Sequence, residues 1–75
     1  MSEIEDTAIA IINAYDDHYM DKAKRNVFEH LFTNYLSLVD PAGSMEAYDS
    51  LVLLANSHRA EFDIIVSELK KLSLL

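Results

Sequence analysis

Three histidines, thirteen carboxylates and six cations are the side chains of this 75-residue chain best suited to moving a proton or holding an ion. His58 stands between Ala55 and Phe62 on an apolar spacing, where a single imidazole is expected to be a core residue with one hydrogen-bond partner. Its sharper reading is a pH-sensitive core, because protonating a half-buried ring opposes its burial. Asp17, His18 and Asp21, with Asp16 beside them, form the one cluster able to seat a metal. Two helical residues four apart can share an ion, but a closed site needs further ligands from elsewhere and none is in view. These carboxylates are therefore expected to mark a solvated junction, with no metal and no cofactor. His30 is flanked at i±4 by Asn26 and Asn34, makes no dyad and reads as surface.

Nucleophilic chemistry finds no footing. The chain has no cysteine and no Gly-x-Ser-x-Gly, and its single glycine, Gly43, excludes the known phosphate-cradling loops. Asp49-Ser50-Leu51 in a small acidic chain invites comparison with acyl carrier proteins, whose prosthetic arm is attached to such a serine. The match ends at the tripeptide, since Ala47-Tyr48 stand where that family has a glycine and only a short remainder follows Leu51. The reading is thus non-enzymatic.

Charge narrows the partners. The net charge is −7, and Glu3, Glu5, Asp6, Asp16, Asp17 and Asp21 all precede the first cation, Lys22. This acidic N-terminal side suits a basic protein or simple solubility. Lys22, Lys24 and Arg25 sit among Asp21 and Glu29, a mixed helix surface rather than a nucleic-acid footprint, so no direct nucleic acid and no anionic bilayer is expected. The longest apolar run falls short of a membrane span, the N-terminus lacks a signal peptide's basic and apolar regions, and a cytoplasmic location is the default.

These side chains are expected on helices of a single domain, residues 1–75, of all-α class. Ser2 and Glu5 form a capping box opening a first helix over 3–16, with Ile4, Ala8, Ile11, Ile12, Tyr15 and Tyr19 on its apolar face. That stripe, carried forward, becomes polar from His18, so a break is expected in 16–21 with Asp17 or Asp21 as cap. A second helix then spans 20–39. Asp40-Pro41-Ala42-Gly43-Ser44 is a loop, with Ser44 capping a third helix over 45–72. Helices 2 and 3 are expected to form an antiparallel hairpin.

The third helix dominates this expectation. Tyr48, Leu51, Ala55, His58, Phe62, Ile65, Leu69 and Leu72 make one seam, and Leu53, Ser57, Ala60, Ile64 and Ser67 make a second uncharged stripe. As one piece it would be about 42 Å long, whereas a chain of this size has a radius of gyration of about 11 Å. The overhang predicts a small bundle completed by dimerisation, with Leu53, Ser57, Ala60 and Ile64 or the C-terminal overhang at the contact. Tyr15 and Tyr19 are expected as exposed anchors. The function expected is a protein-binding regulator or adaptor that works through apolar helix faces as a homo-oligomer. The alternative is an acidic inhibitor, a nucleic-acid mimic of phage or plasmid counter-defence type, occupying a basic groove of another protein.

Overall fold

A computed structural model describes residues 2–75, which are helical with no strand among them. There are four helices rather than three: α1 Glu3–Asp17, α2 Lys22–Leu36, α3 Ala47–Ser57 and α4 Arg59–Lys71.

α1 starts where the capping box places it. The Glu5 N–H donates to Ser2 Oγ at 3.1 Å, and the Ser2 hydroxyl donates in turn to Glu5 Oε1 at 3.1 Å. Ala8, Ile11 and Ala14 are its buried positions. A tight turn follows, in which the Asp21 N–H donates to the His18 carbonyl at 3.0 Å. Asp21 then caps α2 by accepting from the Lys24 N–H at 3.1 Å. The break and its cap are as the sequence predicts.

The second loop is longer than expected, because α2 ends at Leu36 and α3 begins only at Ala47. Asp40 organises the gap in place of Ser44. Its carboxylate accepts from the Ser44 N–H and the Met45 N–H, each at 3.0 Å, and its carbonyl accepts from the Gly43 N–H at 3.1 Å. Gly43 takes the positive φ of 66° that this turn needs, which glycine adopts without steric cost. Glu46 stands at the N-cap of α3 without a side-chain bond.

The larger correction is at His58, whose φ of −138° and ψ of 63° leave the helical region and split the expected 45–72 helix in two. The cause is local. Asn56 Nδ2 donates to the Val52 carbonyl at 3.0 Å and Ser57 Oγ to the Leu53 carbonyl at 2.6 Å. Asn and Ser favour such side-chain bonds to backbone and are weak formers of helix interiors, so the chain turns where they meet. Folding α4 back on α3 buries both halves of the seam, including Leu51, Ala55, Phe62, Ile65 and Leu69, and Leu54 beside it.

No overhanging rod exists. The radius of gyration is 11.3 Å and the extents are 30 × 27 × 18 Å. α3 packs most extensively on α4 and α1 and less on α2, so the α2/α3 hairpin is not the organising unit. The chain covers its own seam, and the length argument for a bundle completed by a second copy no longer holds.

Phe28, Phe62, Ile11, Leu51, Leu54, Ile65 and Leu69 are fully buried, each worth about 1.5–3 kcal/mol by transfer from water. The Tyr15 ring meets Phe28 edge-on at 5.6 Å and Phe32 at 5.8 Å, joining α1 to α2. The C-terminus closes the core. The Leu74 N–H donates to the Leu69 carbonyl at 2.8 Å and the Ser73 N–H to the Lys70 carbonyl at 3.0 Å, a Schellman motif with Ser73 at φ 57°. This turns Leu74 inward, while Leu72 stays half exposed.

Candidate interaction surface

The first turns of α1 and α4 lie side by side, joined by Arg59. Its guanidinium reaches Glu3 of α1 at 3.8 Å and Asp63, one turn further along α4, at 2.9 Å, and lies 5.7 Å from the Phe62 ring centre. All three charged groups are at least half exposed, so each pair contributes about 0.2–1 kcal/mol. These pairs orient side chains more than they hold the fold.

Beyond this bridge the two helices touch only sparsely, and an open groove of about 750 Å³ runs between them. Thr7 and Ala10 of α1, Phe62 and Val66 of α4 and Leu75 line it, together with Glu3, Asp6, Arg59, Asp63 and, further along α4, Lys70. The lining is mixed, apolar at Ala10, Val66 and Leu75 and charged where Glu3, Asp6 and Asp63 surround Arg59.

The acidity extends onto α3. Tyr48 donates its hydroxyl to Glu5 Oε2 at 3.4 Å, the second oxygen of the carboxylate that Ser2 engages. Burial raises the Tyr48 pKa above the ordinary tyrosine value of 10.0, and the charges of Glu5, Asp49 and Asp6 push it in the same direction. Its neighbour Asp49 and two carboxylates of α1, distant in sequence, therefore act on one phenol. Burial likewise raises Tyr15, with Glu29 and Tyr19 adding to it and Arg25 opposing.

The expected acidic face is divided. Glu3, Glu5 and Asp6 lie at the start of α1, whereas Asp16 and Asp17 lie at its end and Asp21 follows the turn, about 18 Å away at 1.5 Å per residue. In the fold Asp49 stands with Glu5 about Tyr48, and Asp63 with Glu3 about Arg59. Among the described residues, no three His, Asp or Glu side chains come together as a metal site.

Leu53, Ser57, Ala60 and Ile64 are all exposed, Leu53 and Ile64 at 41% each. The bend at His58 places the first pair on α3 and the second on α4, so they do not form one straight stripe. Tyr15 is half-buried in the aromatic cluster rather than an exposed anchor. Tyr19 is 48% exposed, with the Arg25 guanidinium 5.9 Å from its ring centre. His58 is half-buried at the bend, its N–H donating to the Leu54 carbonyl at 2.7 Å. Ser50 is only 2% exposed inside α3, a position with no room for a prosthetic arm.

Ala10, Thr7, Arg59, Phe62, Asp63 and Val66 were not singled out from the sequence as surface residues. Each set has helical spacing on its own element, but nothing in the chain order says that the two faces lie across one groove. Among the described residues no helix is long and apolar enough to cross a membrane. No family model matches this chain, and comparison with curated proteins and with solved structures likewise finds no match.

Proposed function

We propose that this chain is a non-enzymatic protein-binding regulator or adaptor whose partner lies in the groove between α1 and α4. The observation that carries the reading is an open groove between α1 and α4 that offers Ala10, Val66 and Leu75 beside Glu3, Asp6, Arg59 and Asp63. Helical partners are commonly received in apolar grooves, with rim charges steering and orienting them. The test is native capture with the full chain and with Ala10→Glu. Ala10 is exposed on a helix, so glutamate there keeps the fold and places a bulky charge in the groove. A partner retained by the wild type and lost by Ala10→Glu is expected. Equal capture by both would remove the groove from the account.

Pairing of two copies belongs to the same proposal, with Leu53, Ser57, Ala60 and Ile64 as its surface. It rests on the exposure of Leu53 and Ile64, not on the length of any helix. Ala60→Glu should then lower the mass seen in sedimentation, and a wild-type chain monomeric at all concentrations would dismiss it.

Glu3, Asp6 and Asp63 around Arg59, with Glu5 and Asp49 beside Tyr48, also favour a second reading, an acidic inhibitor seated in a basic nucleic-acid groove. The two differ in salt response. Occupation of a basic groove weakens steeply as salt rises and is reversed by added DNA or RNA, whereas apolar docking changes little.

A further inference from the structure

The α1/α4 groove is graded in charge along its length. Glu3, Asp6 and Asp63 occupy the end where both helices start, and Lys70 lies in the last turn of α4. Arg59, the cation at the acidic end, is already engaged by Glu3 and Asp63. Among the described residues Asp6 makes no ion pair. Three carboxylates against the one guanidinium leave this end net negative. From Arg59 to Lys70 the α4 wall is about 16 Å long, the length of about three helical turns.

Resting on the protein-binding reading above, we infer that the occupant is a cationic amphipathic helix of about three turns, with apolar residues on Ala10 and Val66 and Lys or Arg facing Asp6 and Asp63.

Three synthetic helical peptides with one shared apolar face test this, their polar positions filled with Lys and Arg, with Gln, or with Glu. Binding to the full-length chain is followed by calorimetry. The cationic peptide is expected to bind about tenfold or more tighter than the Gln peptide at low salt, and to lose most of that advantage at about 0.5 M salt, where screening acts within a few ångströms. Asp6→Lys, an exposed helical substitution whose fold is checked by circular dichroism, is expected to weaken the cationic peptide alone. Equal binding of all three peptides, or indifference to Asp6→Lys, overturns the cationic assignment and leaves a charge-blind groove. No binding by any peptide also overturns it, while the broader protein-binding reading then stands or falls on capture by wild type against Ala10→Glu.

Discussion

Ser73→Gly should stabilise the chain. Ser73 holds φ 57° and links α4 to the buried Leu74 through the two bonds that end the helix. A side chain in this left-handed region costs about 1–2 kcal/mol relative to glycine. Glycine gives back about 0.4–1 kcal/mol through the greater freedom of the unfolded chain, leaving a net gain of about 0.5–1 kcal/mol. With an unfolding entropy of about 2.1 cal/mol/K per residue, a chain of this size shifts by about 6 °C per kcal/mol. The midpoint of thermal unfolding, followed by circular dichroism, should therefore rise by about 3–6 °C. Leu74→Ala supplies the opposite sign. That leucine is 5% exposed, and its truncation should cost about 2–4 kcal/mol. A Ser73→Gly midpoint equal to or below that of wild type would show that the tail is not held by this motif, and the closed end of the core would need another explanation.

Other consequences can be checked in the same preparations. Tyr15 and Tyr48 both ionise above the ordinary tyrosine value of 10.0, held protonated first by burial and then by carboxylates nearby. Raised folded pKa values give stability that is complete below pH 10 and lost as pH rises through them, so alkaline unfolding should set in above pH 10. Tyr48→Phe should make that decline shallower, and a pH profile unchanged by it would contradict the assignment. Phe62→Ala should cost about 3–5 kcal/mol, enough to unfold much of a domain this small at room temperature, as read by denaturant titration. Arg59→Ala should cost at most about 1 kcal/mol, and the cost should shrink in high salt because both its ion pairs are exposed.

The parts legible in the sequence were those governed by neighbours in the chain. The Ser2 cap, the polar drift of the stripe after Tyr15, the Asp21 cap and the seam of Leu51, Ala55, Phe62, Ile65 and Leu69 all follow from spacing, and all are seen. The bend at His58 is different, because the apolar period runs through it without interruption. The signal was the weak pair Asn56-Ser57 before His58, whose side chains compete for the preceding carbonyls, and periodicity outweighs it. The loop capped by Asp40 rather than Ser44 is a similar contest between two acceptors, decided by the carboxylate that reaches two amides. The groove lay beyond reach. Glu3 and Arg59 are far apart in sequence and meet only once α4 folds back on α3, so the apposition of the Thr7/Ala10 and Val66 faces is a property of the tertiary fold.

Amide hydrogen exchange of the full chain, alone and bound to a captured partner, tests the central claim most directly. Slowed exchange confined to the turns of α1 around Thr7 and Ala10 and of α4 around Asp63 and Val66 is the expected result. Slowing at Leu53, Ser57 and Ala60 with no change along Thr7 to Ala10 would contradict it and move the binding surface to the α3/α4 bend.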